Sequence, residues 1–201
     1  MDISNPEFWE ERYSTKNTPW NTKTTTPALI NSINHSKSKK IAILGCGYSK
    51  DSLFLTKKGH MVYPVDFATR PIEYLNRIKS DESIDNLFPI HEDLFNLNRE
   101  YFSFFDIVIE YTCFCAIDPQ RRSQYAELVS NLLNKRGRLV ALFFPTKRRE
   151  KDLGGGPPFH VKLDETLLIF KNKFNIVEID NNPDSIKPRK GFETLVIMDR
   201  K

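Results

Sequence analysis

The chain has 201 residues, 28% charged and 39% hydrophobic, with 30 lysines and arginines against 26 aspartates and glutamates for a net charge of +4. This length suggests one domain with a sizeable core, and the mild positive balance suits an anionic substrate but falls short of a nucleic-acid surface. No apolar run approaches membrane-spanning length, residues 1–13 are too polar and acidic for a signal peptide, and three cysteines form no disulfide framework, so a reducing cytoplasm is the expected compartment.

Residues 1–39 stand outside the pattern that follows. Asn5-Pro6 starts a helix carrying Phe8, Trp9, Arg12 and Tyr13. Trp20 comes next, then a threonine-rich turn over 22–26, and Pro27 opens a second helix over 28–33. His35 begins a polar link over 35–39. Trp9 and Tyr13 lie four apart and share a helix face. Spacing alone favours plain packing for Trp9, Tyr13 and Trp20. The alternative is a lid over a cationic ligand, because an aromatic face attracts a sulfonium as it does an ammonium.

Residues 39–66 read as strand, glycine turn, helix, turn, strand and acid. The run over 40–44 contains β-branched Ile41 and Ile43 and suits a strand buried on both faces. Gly45 and Gly47 bracket Cys46, where the backbone turns sharply and a ligand can approach the main chain. A helix over 51–58 turns Leu53, Phe54 and Leu55 to the sheet, Gly59 and His60 end it, and a strand over 61–65 leads to Asp66. That acid falls about 20 residues past the first glycine, where a nucleotide-binding βαβ unit sets a carboxylate on ribose hydroxyls. Lys50, preceded by Ser49, occupies the third glycine position of G-x-G-x-x-G. A dinucleotide needs its pyrophosphate close to the helix N-terminus. S-adenosylmethionine carries no phosphate, so the missing glycine tilts the reading toward it and away from NAD.

The alternation continues with a helix over 70–79, placing Ile72, Leu75 and Ile78 on one side, and a strand over 86–91 leading to Asp93 and Leu94. Asp93 reads either as an adenine contact or as a turn or helix cap. A fourth strand over 105–111 is followed by a helix starting at Asp118-Pro119, with Tyr125, Leu128, Val129, Leu132 and Leu133 in helical period and Gly137 as its stop. A fifth strand covers 138–144. The loop after it contains Gly154, Gly155, Gly156, Pro157 and Pro158, too irregular for an element and a candidate functional loop. Asp164 is expected to cap a last helix, with Leu163, Leu167, Phe170 and Phe174 on one face, before strands over 175–179 and 192–198. The lysine-rich runs over 37–40 and 147–151 read as solvated loops.

Five βα units and a terminal strand pair predict an α/β, doubly wound sheet. Ligands of such sheets sit beyond the carboxyl ends of the strands, near the switch point. Gly45, Asp66, Asp93, Tyr111 and the 154–158 loop all converge on that edge, which predicts a single site.

With FWEERY, TPWN, LGCGYSKD, GHMVYPVD, FDIVIEYTCFCAIDPQRR and GGGPPFHV in place, most of the chain resembles the thiopurine and thiol/halide methyltransferase family. The resemblance implies a Rossmann-like, seven-stranded class I methyltransferase sheet with helices on both faces and an N-terminal helical lid, 1–39, within a single domain, 1–201. It implies S-adenosylmethionine as cofactor and a small-molecule methyl acceptor: a thiol, thiopurine, halide or chalcogenide. By it, Trp9, Tyr13 and Trp20 close over the cofactor, and the family often has tryptophan where Tyr13 stands. Gly45 and Gly47 line its methionine end, Asp66 holds the ribose, Asp93 and Leu94 meet the adenine, and Tyr111 lies beside it. Arg122 matches an arginine near substrate, with a catalytic part in holding an anionic acceptor, and Pro158 and Phe159 wall the acceptor pocket. Asn21 stands where the family commonly has aspartate.

In-line transfer from a sulfonium to a soft nucleophile needs no acid, because the leaving group departs neutral. A thiol near its ordinary pKa of roughly 8.5 already supplies some thiolate, so positioning and exclusion of water suffice. His160 is a tempting base, although a structural hydrogen bond is the more ordinary role. Cys113 and Cys115 form a C-x-C with no second pair, which makes small buried hydrophobes of them rather than zinc ligands. Three rivals stay in view: a nicotinamide-dependent oxidoreductase, a non-enzymatic S-adenosylmethionine-binding regulator, and a nucleic-acid methyltransferase, for which the fourth strand's EYTCF lacks the Asn/Asp-Pro-Pro-aromatic tetrad. A monomer, without membrane or nucleic-acid partners, is expected.

Overall fold

The computed structural model describes residues 2–33, 37–147 and 155–201. His35 and the loop up to Gly154 fall outside them. Two helices, α1 (Pro6–Ser14) and α2 (Pro27–Ile33), precede β1 (Lys40–Leu44). Asn5 caps α1 by accepting from the Glu7 amide, with Pro6 in the first turn, where a missing N–H costs nothing. Next come α3 (Lys50–Lys57), β2 (Met61–Asp66), α4 (Thr69–Asp81), β3 (Ile90–His91), β4 (Phe105–Tyr111), α5 (Arg122–Leu132), β5 (Leu133–Phe143), α6 (Leu163–Phe170), β6 (Phe174–Asp180) and β7 (Thr194–Arg200).

The strands form one seven-stranded sheet in the order β3-β2-β1-β4-β5-β7-β6. The first five are parallel, and β7 lies antiparallel between β5 and β6. Alternation along the strands builds two cores. Ile41, Ile43, Ile107, Ile109, Val140 and Leu142 pack with Leu29, Ile33 and Leu55. Ala42, Leu44, Val108, Leu139, Ala141 and Phe143 pack with Tyr125, Val129, Leu132 and Phe170 on the opposite face. β1 is thus buried on both faces. The order changes direction at β1, whose neighbours are β2 and β4, which sets the switch point above Gly45.

Five boundaries differ from expectation. Gly137 does not end a helix: α5 gives way to β5 at Leu133, and Gly137 lies in an excursion where the register with β4 jumps from Phe105↔Leu133 to Ile107↔Arg138. The third strand shrinks to Ile90–His91 plus a bridge between Val62 and Leu87: Val62 bonds Asn86 and Phe88 and Asp66 accepts from Glu92, but Pro64 between them has no N–H to continue the ladder. Asp164 is not the cap of α6. Lys162 holds the cap position without a side-chain capping bond, its ammonium meeting Glu165 at 2.7 Å instead, and Asp164 sits in the first turn, where its charge meets the helix dipole. Phe174 opens β6 instead of closing the helical face, and the final strand is Thr194–Arg200.

Candidate active site

The loops leaving β1, β2 and β4 surround a cavity of about 670 Å³ at the carboxyl edge of the sheet, within the usual range for small-molecule sites. Gly45 borders it with φ +58°, and a Cβ there would fall 2.8 Å from Cys113 Sγ, so both conformation and space call for glycine. Gly47, φ +52°, turns its amide to Asp66 Oδ2 at 2.8 Å, and a Cβ on it would lie 3.1 Å from the Tyr13 hydroxyl. Gly47 and Tyr111 border a smaller pocket of about 60 Å³, which shares Trp20, Gly45 and Thr112 with the main cavity.

Asp66 ends β2, buried at 7% exposure. Its carboxylate accepts from the Gly47 amide and, through Oδ1 at 2.9 Å, from the Ala68 amide. Each oxygen keeps a lone pair, and the residue borders the cavity. Burial pushes its pKa up to about 6, although both amides favour the ionised form.

Trp9, Tyr13 and Trp20 all border the cavity. Trp20 meets Trp9 edge-on at 5.4 Å and Tyr13 at 5.7 Å, and Trp9 Nε1 donates to the Ile3 carbonyl. The segment is tied down by Asp51, which accepts from both the amide and the hydroxyl of Thr26. Glu10 of α1 accepts from the Thr69 and Arg70 amides at the start of α4. Asp93 caps the 3-10 turn Leu94–Asn96 through the Phe95 amide, and both Asp93 and Leu94 border the cavity. The cap and the site position coexist.

Pro158 borders the cavity beside Pro157. Phe159 stands behind it, with its amide donating to the Cys115 carbonyl at 2.7 Å. Arg122 does not border the cavity. Its Nη1 donates to the His160 carbonyl at 3.2 Å and its guanidinium lies 4.6 Å from the Phe114 ring centre, which ties the acceptor loop to the start of α5. His160 is also outside the lining, with Nε2 against the Thr146 carbonyl. Among the described residues no group of three or more His, Cys, Asp or Glu side chains could hold a metal ion.

Sequence reading missed Arg189 and Glu110. Arg189 is 5% exposed and borders the cavity. Its Nη2 donates to the Trp20 carbonyl at 3.0 Å, its guanidinium lies against the rings of Tyr111 and Phe144, and its buried Nη1 has no hydrogen bond, lying 3.8 Å from Glu193 Oε1. Glu193, fully buried, also accepts from the Tyr111 hydroxyl at 2.9 Å. A basic residue in a Pro-Arg-Lys loop looks solvated in a sequence, and only the packing of β7 shows otherwise. Glu110 sits under the turn that follows β4. It accepts from the Phe114 amide and, at 2.5 Å, from the Tyr125 hydroxyl, and burial pushes its pKa up to about 7. Cys113 and Cys115 line the cavity as neutral thiols, since burial raises both, Cys115 to about 12.

These residues fit S-adenosylmethionine. Aromatic rings suit a sulfonium, a buried carboxylate with free lone pairs suits ribose hydroxyls, and the glycine turn opens the main chain. Sheet order, switch-point cavity and strand-end acid together define a class I S-adenosylmethionine-dependent methyltransferase. A family model described as Thiopurine S-methyltransferase matches residues 4–201. The chain belongs to the thiopurine S-methyltransferase family, and it is an S-adenosylmethionine-dependent S-methyltransferase. It is 29% identical over 192 residues to thiocyanate methyltransferase 1 of Brassica oleracea, spanning 93% of this chain and 82% of that one. It is 25% identical to a thiopurine S-methyltransferase of Pseudomonas fluorescens, over 85% and 84% of the two chains. Among solved structures, the 1,6-didemethyltoxoflavin-N1-methyltransferase of Burkholderia thailandensis with bound S-adenosylhomocysteine superposes with a TM-score of 0.74 at 16% identity, covering 98% of this chain and 86% of that one.

Proposed function

We propose that the enzyme methylates a small, soft, anionic acceptor of the thiolate, thiopurine, halide or chalcogenide class. The observation that carries this reading is Arg189, a buried cation at the cavity wall whose Nη1 has no hydrogen bond. Among the described residues no histidine borders the cavity. An acceptor that arrives ionised needs no base, and a fixed guanidinium suits its charge.

When bound, S-adenosylmethionine supplies an electrophilic methyl carbon on a sulfonium. Trp9, Tyr13 and Trp20 hold that cation and exclude water. Asp66 takes the ribose hydroxyls, Asp93 and Leu94 the adenine, Gly45 and Gly47 the methionine end, with Tyr111 beside it. Arg189 orients the acceptor. Arg122 acts through the loop it holds, keeping Pro157 and Pro158 as the acceptor wall, with Phe159 behind them. Alignment and a dry cavity supply the rate enhancement. The chain works as one domain, 1–201, with 1–39 as its lid, as a cytoplasmic monomer acting on small molecules and not on nucleic acid. Among the described residues no helix is long and apolar enough to cross a membrane.

A turnover screen with methyl-labelled cofactor tests the reading across thiopurines, small thiols, halides, thiocyanate, sulfide, and selenium and tellurium anions. Transfer to at least one is expected, and transfer to none would overturn it. Trp20→Ala should separate the sulfonium from the rest of the cofactor. Losing an aromatic face over a cation costs about 0.5–2 kcal/mol, so affinity for S-adenosylmethionine should fall by roughly tenfold and that for S-adenosylhomocysteine by clearly less. Equal losses in calorimetry would remove the cation-holding role.

A further inference from the structure

A second cavity, of about 540 Å³, opens beside Tyr48. Its cations come from three places in the fold: Lys23 from the threonine-rich loop, Lys50 from the first turn of α3, and Arg70 and Arg77 from α4. Two carboxylates oppose these four cations. Glu73 lines the groove, and Glu10 of α1 pairs with Arg70 at 3.4 Å. Lys50 Nζ is held by the Tyr74 hydroxyl at 2.8 Å. The side chains of Lys23 and Arg77 have no hydrogen bond or ion pair with any described residue. The groove therefore carries an excess of two positive charges, two of its cations are uncommitted, and it has room for a ligand.

The groove is also connected to the cofactor cavity. Asn21 borders both, and its Oδ1 accepts from the Lys23 amide at 3.1 Å. Five rings run edge-on from one cavity to the other: Trp9 to Trp20, Trp20 to Tyr13, Tyr13 to Tyr48, and Tyr48 to Tyr74, with centroids 5.0–5.7 Å apart. Lys23 belongs to the same segment as Trp20, whereas Lys50 and Arg77 belong to the body of the domain.

We propose that this groove binds a multiply charged oxyanion of the phosphate class, and that the bound anion ties the 20–26 segment to α3 and α4 and tightens the grip on the cofactor. It rests on the reading of 1–39 as a lid. Coupling of this kind is reciprocal, with each ligand raising the affinity of the other by the same factor. Because the cations are largely exposed, salt screens them, and comparison at matched ionic strength is essential.

The test uses the whole chain and inorganic pyrophosphate as probe, against sodium chloride at equal ionic strength. Calorimetry should show saturable pyrophosphate binding, and S-adenosylhomocysteine should bind at least fivefold tighter in its presence, the lower end of ordinary allosteric coupling. The double variant Lys23→Ala/Arg77→Ala should lose pyrophosphate binding and the tightening, while its S-adenosylhomocysteine affinity in chloride stays within twofold. Three results would overturn the proposal: no saturable pyrophosphate binding, an equal response in the double variant, or weaker cofactor binding with pyrophosphate present, which means competition inside the main cavity. If S-adenosylhomocysteine fails to bind in chloride, the cofactor reading falls on its own, and the pyrophosphate titrations of wild type and double variant still decide the groove.

Discussion

Asp66→Ala is expected to lower affinity for S-adenosylhomocysteine at least a hundredfold in calorimetry. A hydrogen bond to a charged group contributes about 1.5–3 kcal/mol, and two ribose hydroxyls on one carboxylate give a loss of that size. The substitution also strips acceptors from the Gly47 and Ala68 amides, a cost that appears in the melting temperature. Asp66→Asn separates the two effects, because its amide oxygen still accepts from one of those N–H groups while the charge is gone. Unchanged affinity in Asp66→Ala rules out the ribose role.

The same carboxylate sets a pH dependence. Its pKa is raised from an ordinary 3.8 to about 6 by burial, so the unfolded chain ionises first. Asp66 therefore costs stability progressively as pH rises from about 4 to about 6, and the cost is constant above that. In the proposed ribose role, the hydroxyls donate to the ionised form. Cofactor affinity should hold above pH 7 and fall through pH 6 by up to about tenfold per unit, and Asp66→Asn should flatten that slope.

Arg189→Met is expected to damage both stability and acceptor binding. Arg189 and Glu193 are 7% and 0% exposed at the side chain, and burial already holds the Glu193 carboxyl above its ordinary value. Removing one partner of a buried pair costs about 3 kcal/mol or more, which for a domain of this size lowers the melting temperature by roughly 6–12 °C. The Michaelis constant for the best acceptor found by screening should rise tenfold or more, with a smaller change in S-adenosylhomocysteine affinity. Arg189→Lys should recover part of the stability, because a charge remains near Glu193, and little of the acceptor binding, because an ammonium cannot reproduce the fork that reaches the Trp20 carbonyl. An unaltered acceptor constant in Arg189→Met would refute the anchoring role.

Much of this architecture is legible in the chain itself, for definite physical reasons. Ile41, Ala42, Ile43 and Leu44 announce a strand with no polar face. Gly45, Gly47 and Asp66 announce a turn and an acid at one edge, because only those residue types satisfy the backbone and hydrogen-bond demands there. Trp9, Tyr13 and Trp20 read as a group only with the family resemblance, since spacing alone gives an ordinary apolar face. What stays hidden depends on distant pairing. Leu133 enters β5 because Phe105 lies opposite it, overriding the stop expected at Gly137. Arg189 becomes a buried wall of the site because Trp20, 169 positions away, offers a carbonyl. Arg121 borders the cavity while its neighbour Arg122 does not, a distinction made by the register of α5 and its preceding turn.

The slot occupied by β7 bears on how such a chain is made. It follows β5 and β6 in order of synthesis, yet it fills the position between them, bonded to one on each side. Until it emerges from the ribosome both neighbours expose unpaired backbone, and the nascent sheet stays open to misassembly and chaperone capture. Arg189 lies between β6 and β7 in the chain, so its contact to Trp20 and the cavity wall it forms also come only after β6 has been made.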